Sequence, residues 1–291
     1  MSKPRVNTME ELSLAIGVSR PTLSRYFQDP SRIKASTVAR IEAELGKVDY
    51  VPNFFATRLN RKSTGIIGVI IPYLNDLFFT KLLEEIEMAA MDAGYTVITQ
   101  CSHSDPEIEA RAVRTFLSMN VDGALVAPLG NQSDADVHQR LRERLPFVLV
   151  DSRPKTMPDV EYVGTDIVDE RWHFEAHGEA VLDDYFSRGL YMDRSILCAN
   201  DRVAIGALRA AMRHGLTPGR DREGGLRIAG HDDYPLCPFT TPSLTTVEQD
   251  FEAIGKAAVS RLVELINGTE IDPDNPQVQL FQGSLKLRES A

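Results

Sequence analysis

The run "GIIGVIIP" (65–72) constrains the fold most. It is short and apolar at nearly every position, as a strand buried on both faces of a parallel sheet must be. Beyond it the chain alternates. "FFTKLLEEIEMAAMDAG" (78–94) reads as an amphipathic helix ending at Gly94, and "YTVITQCS" as a strand. "PEIEARAVRTFLSMN" reads as a helix, "VDGALVAPL" as a strand, residues 132–144 as a helix and "PFVLVD" as a strand. Strands alternating with helices imply an α/β body: a parallel sheet, helices on both faces and right-handed crossovers. In such sheets ligands sit at the carboxyl ends of the strands.

The first 63 residues differ in kind. They carry 11 Lys/Arg against 6 Asp/Glu, so a head of charge +5 precedes a body of −15 within a chain of net charge −10. A basic head on an acidic body suits a polyanionic partner for the head alone. "TMEELSLAI" has Thr8 as N-cap with Glu11 three residues on, a capping box, and Leu12, Ala15 and Ile16 as its apolar stripe. Gly17 ends that helix. Ser19 caps the next and Pro21 sits in its first turn, where a missing N–H costs nothing. In "RPTLSRYF", Leu23 with Tyr26 or Phe27 faces inward and leaves Arg20, Thr22, Ser24 and Arg25 outside. A third helix, "ASTVARIEAELGKV", offers Val38, Ile41 and Leu45 to a small core. This is a helix-turn-helix, whose second helix enters the major groove with hydroxyls and arginines on phosphates; the same residues also fit a three-helix bundle with a solvated polar face. "NFFATRLN" (53–60) supplies about two turns, too few for a stable isolated helix. It is either a linker that folds on docking, with Leu59 as a minor-groove wedge, or a plain linker packed on the body.

The stretch from "TMEELSLAIGVSRPTLSRYF" to "GIIGVIIP" resembles the head, hinge and first core strand of the lactose-repressor (LacI/GalR) family of bacterial transcription regulators. The resemblance continues through "VDGALVAPL", "LVDSRP", "VGTD", "ILCANDRVAIGALRAA", "LRIAGHDD" and "PSLTTVEQDFEAIGKAAVSRLVELING". It implies a helix-turn-helix DNA-binding domain over 1–50, a hinge over 51–63, and an effector-binding and dimerisation domain over 64–291 of periplasmic-binding-protein type, with two doubly wound lobes. Arg20 and Pro21 take the two base-reading positions, with apolar contact only from the proline. Ser19, Thr22, Ser24 and Arg25 support them, Thr8 touches phosphate, Asn53 and Ala56 lie on the hinge, and Leu59 matches the intercalating leucine. The function implied is a sequence-specific regulator, a repressor acting as a homodimer on a pseudo-palindromic operator in double-stranded DNA. A small sugar-like effector between the lobes controls it. The C-terminus shows no heptad-bearing helix, which points to a dimer rather than a tetramer.

The effector candidates are the strand-end residues: Asn75, Asp76, Phe78 and Phe79 after the first strand, Asp151 after "FVLV", Asn200 after "SILCA", Asp232 after "RIAGH", and Gln249 in a crossover. Paired hydrogen-bonding groups with aromatic walls suit a polyol. Strand-end Asn and Asp also serve as helix caps and turn formers, the role expected of Asp201. Asp76 and Leu77 depart from the family's usual Asn-Pro-Phe-Phe. A larger departure comes after "VGTDIVDE", where the family pattern continues with a helix, a strand and a second helix that begins with an arginine-containing ligand motif. Here the chain passes directly to "RWHFEAHGEAVLDDYF". Either the second lobe is truly shortened, or the sequence lacks a stretch that the natural protein carries. Arg171 does not match the ligand motif.

Other classes have less support. No G-x-S-x-G, Walker or G-x-G-x-x-G motif comes after a strand, and "GHDDY" lacks further metal ligands at spacing, so no catalysis and no cofactor or metal are expected. A sugar-binding module without DNA binding would not carry the basic head; an effector-insensitive truncated regulator would. No apolar run approaches the ~20 residues of a membrane span, and the start has no secretory h-region. The three cysteines have neither metal-ligand nor disulfide-framework spacing. A cytoplasmic protein with reduced thiols is expected.

Overall fold

In the computed structural model the described residues are 3–52, 63–129, 133–154, 157, 159–164, 174–190, 195–219, 226–270 and 276–291. They form two compact units, residues 1–64 and 65–291. The expected hinge residues Asn53, Ala56 and Leu59, like Arg171, lie outside the described residues.

The head holds α1 (Met9–Ile16), α2 (Arg20–Gln28) and α3 (Ala35–Leu45). Thr8 Oγ1 accepts the Glu11 amide at 3.1 Å, while the Glu11 carboxylate accepts from the Asn7 amide at 2.8 Å, one residue before the expected partner. Gly17 closes α1 at φ +65°, a left-handed position that favours glycine. Val6, Leu12, Ile16, Val18, Leu23 and Ile41 are the core, with Tyr26, Phe27 and Leu45 packed against it. Three expectations fail. Val38 is half-buried and is not among the side chains packed on this core. Ala15 is exposed, because α1 buries only Leu12 and Ile16. Ser19 stands at the N-cap of α2 without capping it; its hydroxyl pairs with that of Thr22 at 2.8 Å. The strands β1 (Arg5–Val6) and β2 (Asp49–Tyr50) pair in parallel and join the two ends of the head.

The body opens with β3 (Ile66–Ile71), buried at every position. Next come α4 (Leu77–Asp92), β4 (Thr96–Cys101), α5 (Pro106–Met119), β5 (Gly123–Val126), α6 (Ala135–Arg142), β6 (Phe147–Val150) and β7 (Tyr162–Gly164). The second lobe has α7 (Phe174–Ser187), β8 (Ser195–Leu197), α8 (Asp201–Arg213) and β9 (Arg227–Ala229). After β10 (Thr246–Glu248), α9 (Phe251–Ile266) returns to the first lobe, followed by β11 (Val278–Leu280) and β12 (Ser284–Lys286).

The first-lobe sheet has six parallel strands in the order β11-β7-β6-β5-β3-β4. Phe79, Leu82 and Ile86 of α4 share one core with Phe251, Ile254 and Leu262 of α9, so residues far apart in the chain cover one face. A buried ion pair ties α9 to the sheet: Arg261 Nε and Nη2 lie 3.1 and 3.0 Å from the two oxygens of Glu161. On β3 an added Cβ at Gly68 would meet the Phe116 ring of α5 at 2.5 Å, so this strand needs a glycine to seat the helix. Between α5 and α6 lies a polar trio. Ser133 donates to Glu109 at 3.1 Å, and His138, stacked on Phe147, has Nε2 3.8 Å from Glu109.

The second lobe is smaller. β8 and β9 pair in parallel, and Thr245 adds a single bridge to Ala229. Among the described residues β8 has a partner on one side only, and Leu197 on it is 78% exposed.

Candidate functional site

Two sites take shape. On the head, α2 presents Arg20, Pro21 and Arg25 exposed, with Thr22 and Ser24 half-buried beside them. Leu23, fully buried, fixes which face turns out. Pro21 sits in the first turn, as its missing N–H requires. Arg20 makes one loose, exposed ion pair with Glu10 at 3.8 Å, a contact worth little in water. Thr8 is exposed at the start of α1. The result is a helix whose first turn carries Arg20, Pro21 and the Thr22 hydroxyl with no carboxylate, and whose exposed face continues to Arg25 in the last turn.

In the body a cleft opens between strand ends of the two lobes. Seven of the eight expected residues line it: Asp76, Phe78, Phe79, Asp151, Asn200, Asp232 and Gln249. Asn75 does not; it lies exposed in the turn before α4. Several lining residues also build the fold. Asp76 is the N-cap of α4 and accepts the Phe78 amide at 3.0 Å; Asn200 is the N-cap of α8 and accepts the Val203 amide at 2.9 Å. Tyr162 donates its hydroxyl to the Asp151 carbonyl at 2.9 Å and so holds the end of β6. Asp151 and Asp232 have φ of +69° and +111°, conformations uncommon outside glycine that cluster at functional sites.

Ser152, Phe174, Ala199, Asp201, Arg202 and Tyr234 complete the lining. Asp201 is not the simple turn former expected of its position. It is buried, accepts the Tyr234 amide at 2.7 Å and is pushed up to about 6 by burial. Gly230 makes the room, since a Cβ there would stand 2.1 Å from an Asp201 oxygen. Asp232 has His231 Nδ1 at 2.9 Å and accepts from the Gln249 amide. Burial raises its pKa, against the pull of His231 and Gln249. Arg202 is the residue that sequence reasoning missed most clearly. Its Nη1 lies 2.6 Å from Asp76, its Nε and Nη2 lie 2.7 and 2.9 Å from Glu175, and its guanidinium stands over the Phe174 ring. Burial works against its charge, but the bonds to Glu175 and the charge of Asp76 more than offset this and raise its pKa. The signal available was its place one residue past the strand-end Asn200–Asp201.

No group of His, Cys, Asp and Glu among the described residues could hold a metal ion, and none of their helices is long and apolar enough to cross a membrane. Cys101, Cys198 and Cys237 are free thiols.

Three family models match in order: a helix-turn-helix over residues 7–51, the periplasmic binding proteins and sugar binding domain of the LacI family over 64–170, and a periplasmic binding protein-like domain over 126–291. The chain is 26% identical to the HTH-type transcriptional regulator MalR of Streptomyces coelicolor, over 90% of each chain. It is 25% identical to the HTH-type transcriptional repressor CytR of Escherichia coli K12, over 91% of each. The fold matches a lac repressor dimer bound to operator and the anti-inducer ONPF, with a TM-score of 0.80, 24% identity and 99% of each chain covered. The alignment with MalR spans 321 positions against the 291 residues of this chain, which leaves at least 30 positions of the relative without a counterpart. A basic helix-turn-helix head joined to a two-lobed binding body, matched over nearly its whole length, places the chain in the LacI family of transcriptional regulators, which are DNA-binding proteins and not enzymes.

Proposed function

We propose that this chain is a cytoplasmic repressor that binds a pseudo-palindromic operator as a homodimer and responds to a sugar-like effector in the cleft between its lobes. One observation carries the reading: an exposed face of α2 with Arg20 and Arg25, on the same chain as a cleft that combines polar strand-end groups with aromatic walls. Arg20 and Pro21 read base edges, while Thr8, Ser19, Thr22, Ser24 and Arg25 hold phosphates or support base contact. Asn53, Ala56 and Leu59 act at the central minor groove. Asp76, Phe78, Phe79, Asp151, Asn200, Asp232 and Gln249 hold the effector. Effector binding shifts the population of DNA-competent dimers through its differential affinity for the two states.

The test is selection of bound sites from random duplex DNA by the full chain at near-physiological salt. An inverted repeat is expected. Arg20→Ala should cost about 1–3 kcal/mol and relax specificity at one base pair of each half-site. Wild-type binding should fall steeply with salt through its phosphate contacts. No enriched site would overturn the reading.

A second reading has specific support. The exposed edge of β8 and the unmatched alignment positions favour a shortened second lobe, hence a regulator that binds DNA without an effector response. Operator binding that no sugar alters would select it.

A further inference from the structure

We propose that Arg202 decides the chemical class of effector: by answering the cleft's own carboxylates it leaves the cleft open to neutral or aminated polyols and closed to sugar acids and sugar phosphates. The inference rests on the reading of this cleft as the effector site.

Among the described lining residues the charges are uneven. Asp76, Asp151, Asp201 and Asp232 are carboxylates, and Arg202 is the one arginine or lysine. A guanidinium is the side chain best suited to grip a ligand carboxylate or phosphate, through paired N–H donors. Here three of its five N–H donors are engaged, one from each nitrogen. Nε and Nη2 form a fork on Glu175, and Nη1 reaches Asp76 in the other lobe. The Arg202 side chain is only 23% exposed and stands over Phe174. Its partner Asp76 is 5% exposed and spends its second oxygen on the Phe78 amide.

An acidic ligand would have to take Arg202 from two aligned carboxylates. That exchange strands Asp76, a buried charge, without its counter-ion. The same ligand would lie beside Asp151 and Asp232, and like charges in a partly desolvated cleft repel. A neutral polyol meets the reverse situation, since its hydroxyls donate to carboxylates that can only accept. An ammonium on the ligand adds charge complementarity. Asp76, one of the two departures from Asn-Pro-Phe-Phe, is thus one of the two carboxylates that occupy the cleft's cation.

The test is calorimetric titration of the full chain with aldoses and their amino, acid and 6-phosphate derivatives, in wild type and in the double variant D76N/E175Q. Both substitutions keep shape and free the guanidinium. In wild type, binding is expected from a neutral or amino sugar, with its acid and phosphate at least tenfold weaker. In D76N/E175Q the acid or phosphate should gain at least tenfold relative to its neutral parent. Should the double variant not fold, Glu175→Gln alone, at a position 44% exposed, should move the same ratio about threefold. An acid or phosphate that binds wild type as tightly as its parent overturns the inference and leaves the cleft reading standing. A ratio unmoved in the variants also overturns it. No binding by any class overturns the cleft reading and the inference together.

Discussion

Glu109→Gln and His138→Met should acquire pH-stability slopes of opposite sign, where the wild type is nearly level. Both residues are buried, at 0% and 1% exposure, in the trio with Ser133 between α5 and α6. Burial pushes Glu109 up to about 7, despite the bond from Ser133. Burial pushes His138 down to about 4. The folded state therefore favours both groups in their neutral forms.

For Glu109 the native state binds the proton more tightly, so its contribution is fully present below the unfolded pKa near 4.5 and is lost as pH rises through about 7. The loss is about 3 kcal/mol. For His138 the native state resists protonation. Its contribution is present above about 6.5 and is lost as pH falls through about 4, again about 3 kcal/mol. Between pH 4.5 and 6.5 the two slopes oppose each other in the wild type. Glu109→Gln leaves the histidine alone, so stability rises with pH across that window. His138→Met leaves the glutamate alone, so stability falls. Urea midpoints from pH 4 to 8 check this, and slopes of the same sign in the two variants would show that the groups titrate as an exposed pair.

Gly206→Ala should cost about 3 kcal/mol or more in the second lobe, although alanine is the better helix former. A Cβ at Gly206 would lie 2.1 Å from the Glu175 carbonyl oxygen, and one at Gly178 would lie 2.2 Å from that of Val203. The two helices α7 and α8 thus meet backbone to backbone through a glycine on each. Neither obstacle is a movable side-chain tip, so relief requires the helices to part. That would loosen the core of Leu182, Phe186, Ala207, Leu208 and Ile228. It would also move Arg202 and Glu175, which lie on those same helices. Gly46→Ala in the head is the contrast: the backbone is right-handed, the nearest atom to the new Cβ is 3.5 Å away, and the change should be neutral. Thermal melts followed by near-ultraviolet dichroism read both. A Gly206→Ala variant that melts with the wild type would mean that the helices do not approach so closely.

Some of the architecture is written in local pattern. The run 66–71 reads as a buried parallel strand, because a short unbroken apolar segment needs cover on both faces, and β3 is buried throughout. Thr8 and Gly17 bracket α1 because one offers an oxygen to an orphan amide and the other tolerates a left-handed turn. The cleft lining was legible for Asp151, Asn200 and Asp232 for a topological reason: parallel strands bring their carboxyl ends to one edge. The same reasoning puts Asn75 at the cleft, whereas the turn before α4 carries it to the surface. It also makes Asp201 a turn former, because strand-end position cannot tell a cap from a buried carboxylate.

What the sequence by itself determined is therefore the class of the head helices and of the first-lobe segments from β3 to β6, and the outward face of α2. Each comes from periodicity, capping and turn chemistry within a few residues. Only the tertiary structure decided which distant groups meet. Arg202 and Asp76 are 126 residues apart, and Glu161 and Arg261 are 100 apart. Glu109 is pushed up to about 7 and His138 down to about 4 only because two helices close over them. Pairings of this kind depend on how lobes and helices pack, and burial, which sets their charge, is a property of the packed molecule and not of any stretch of chain.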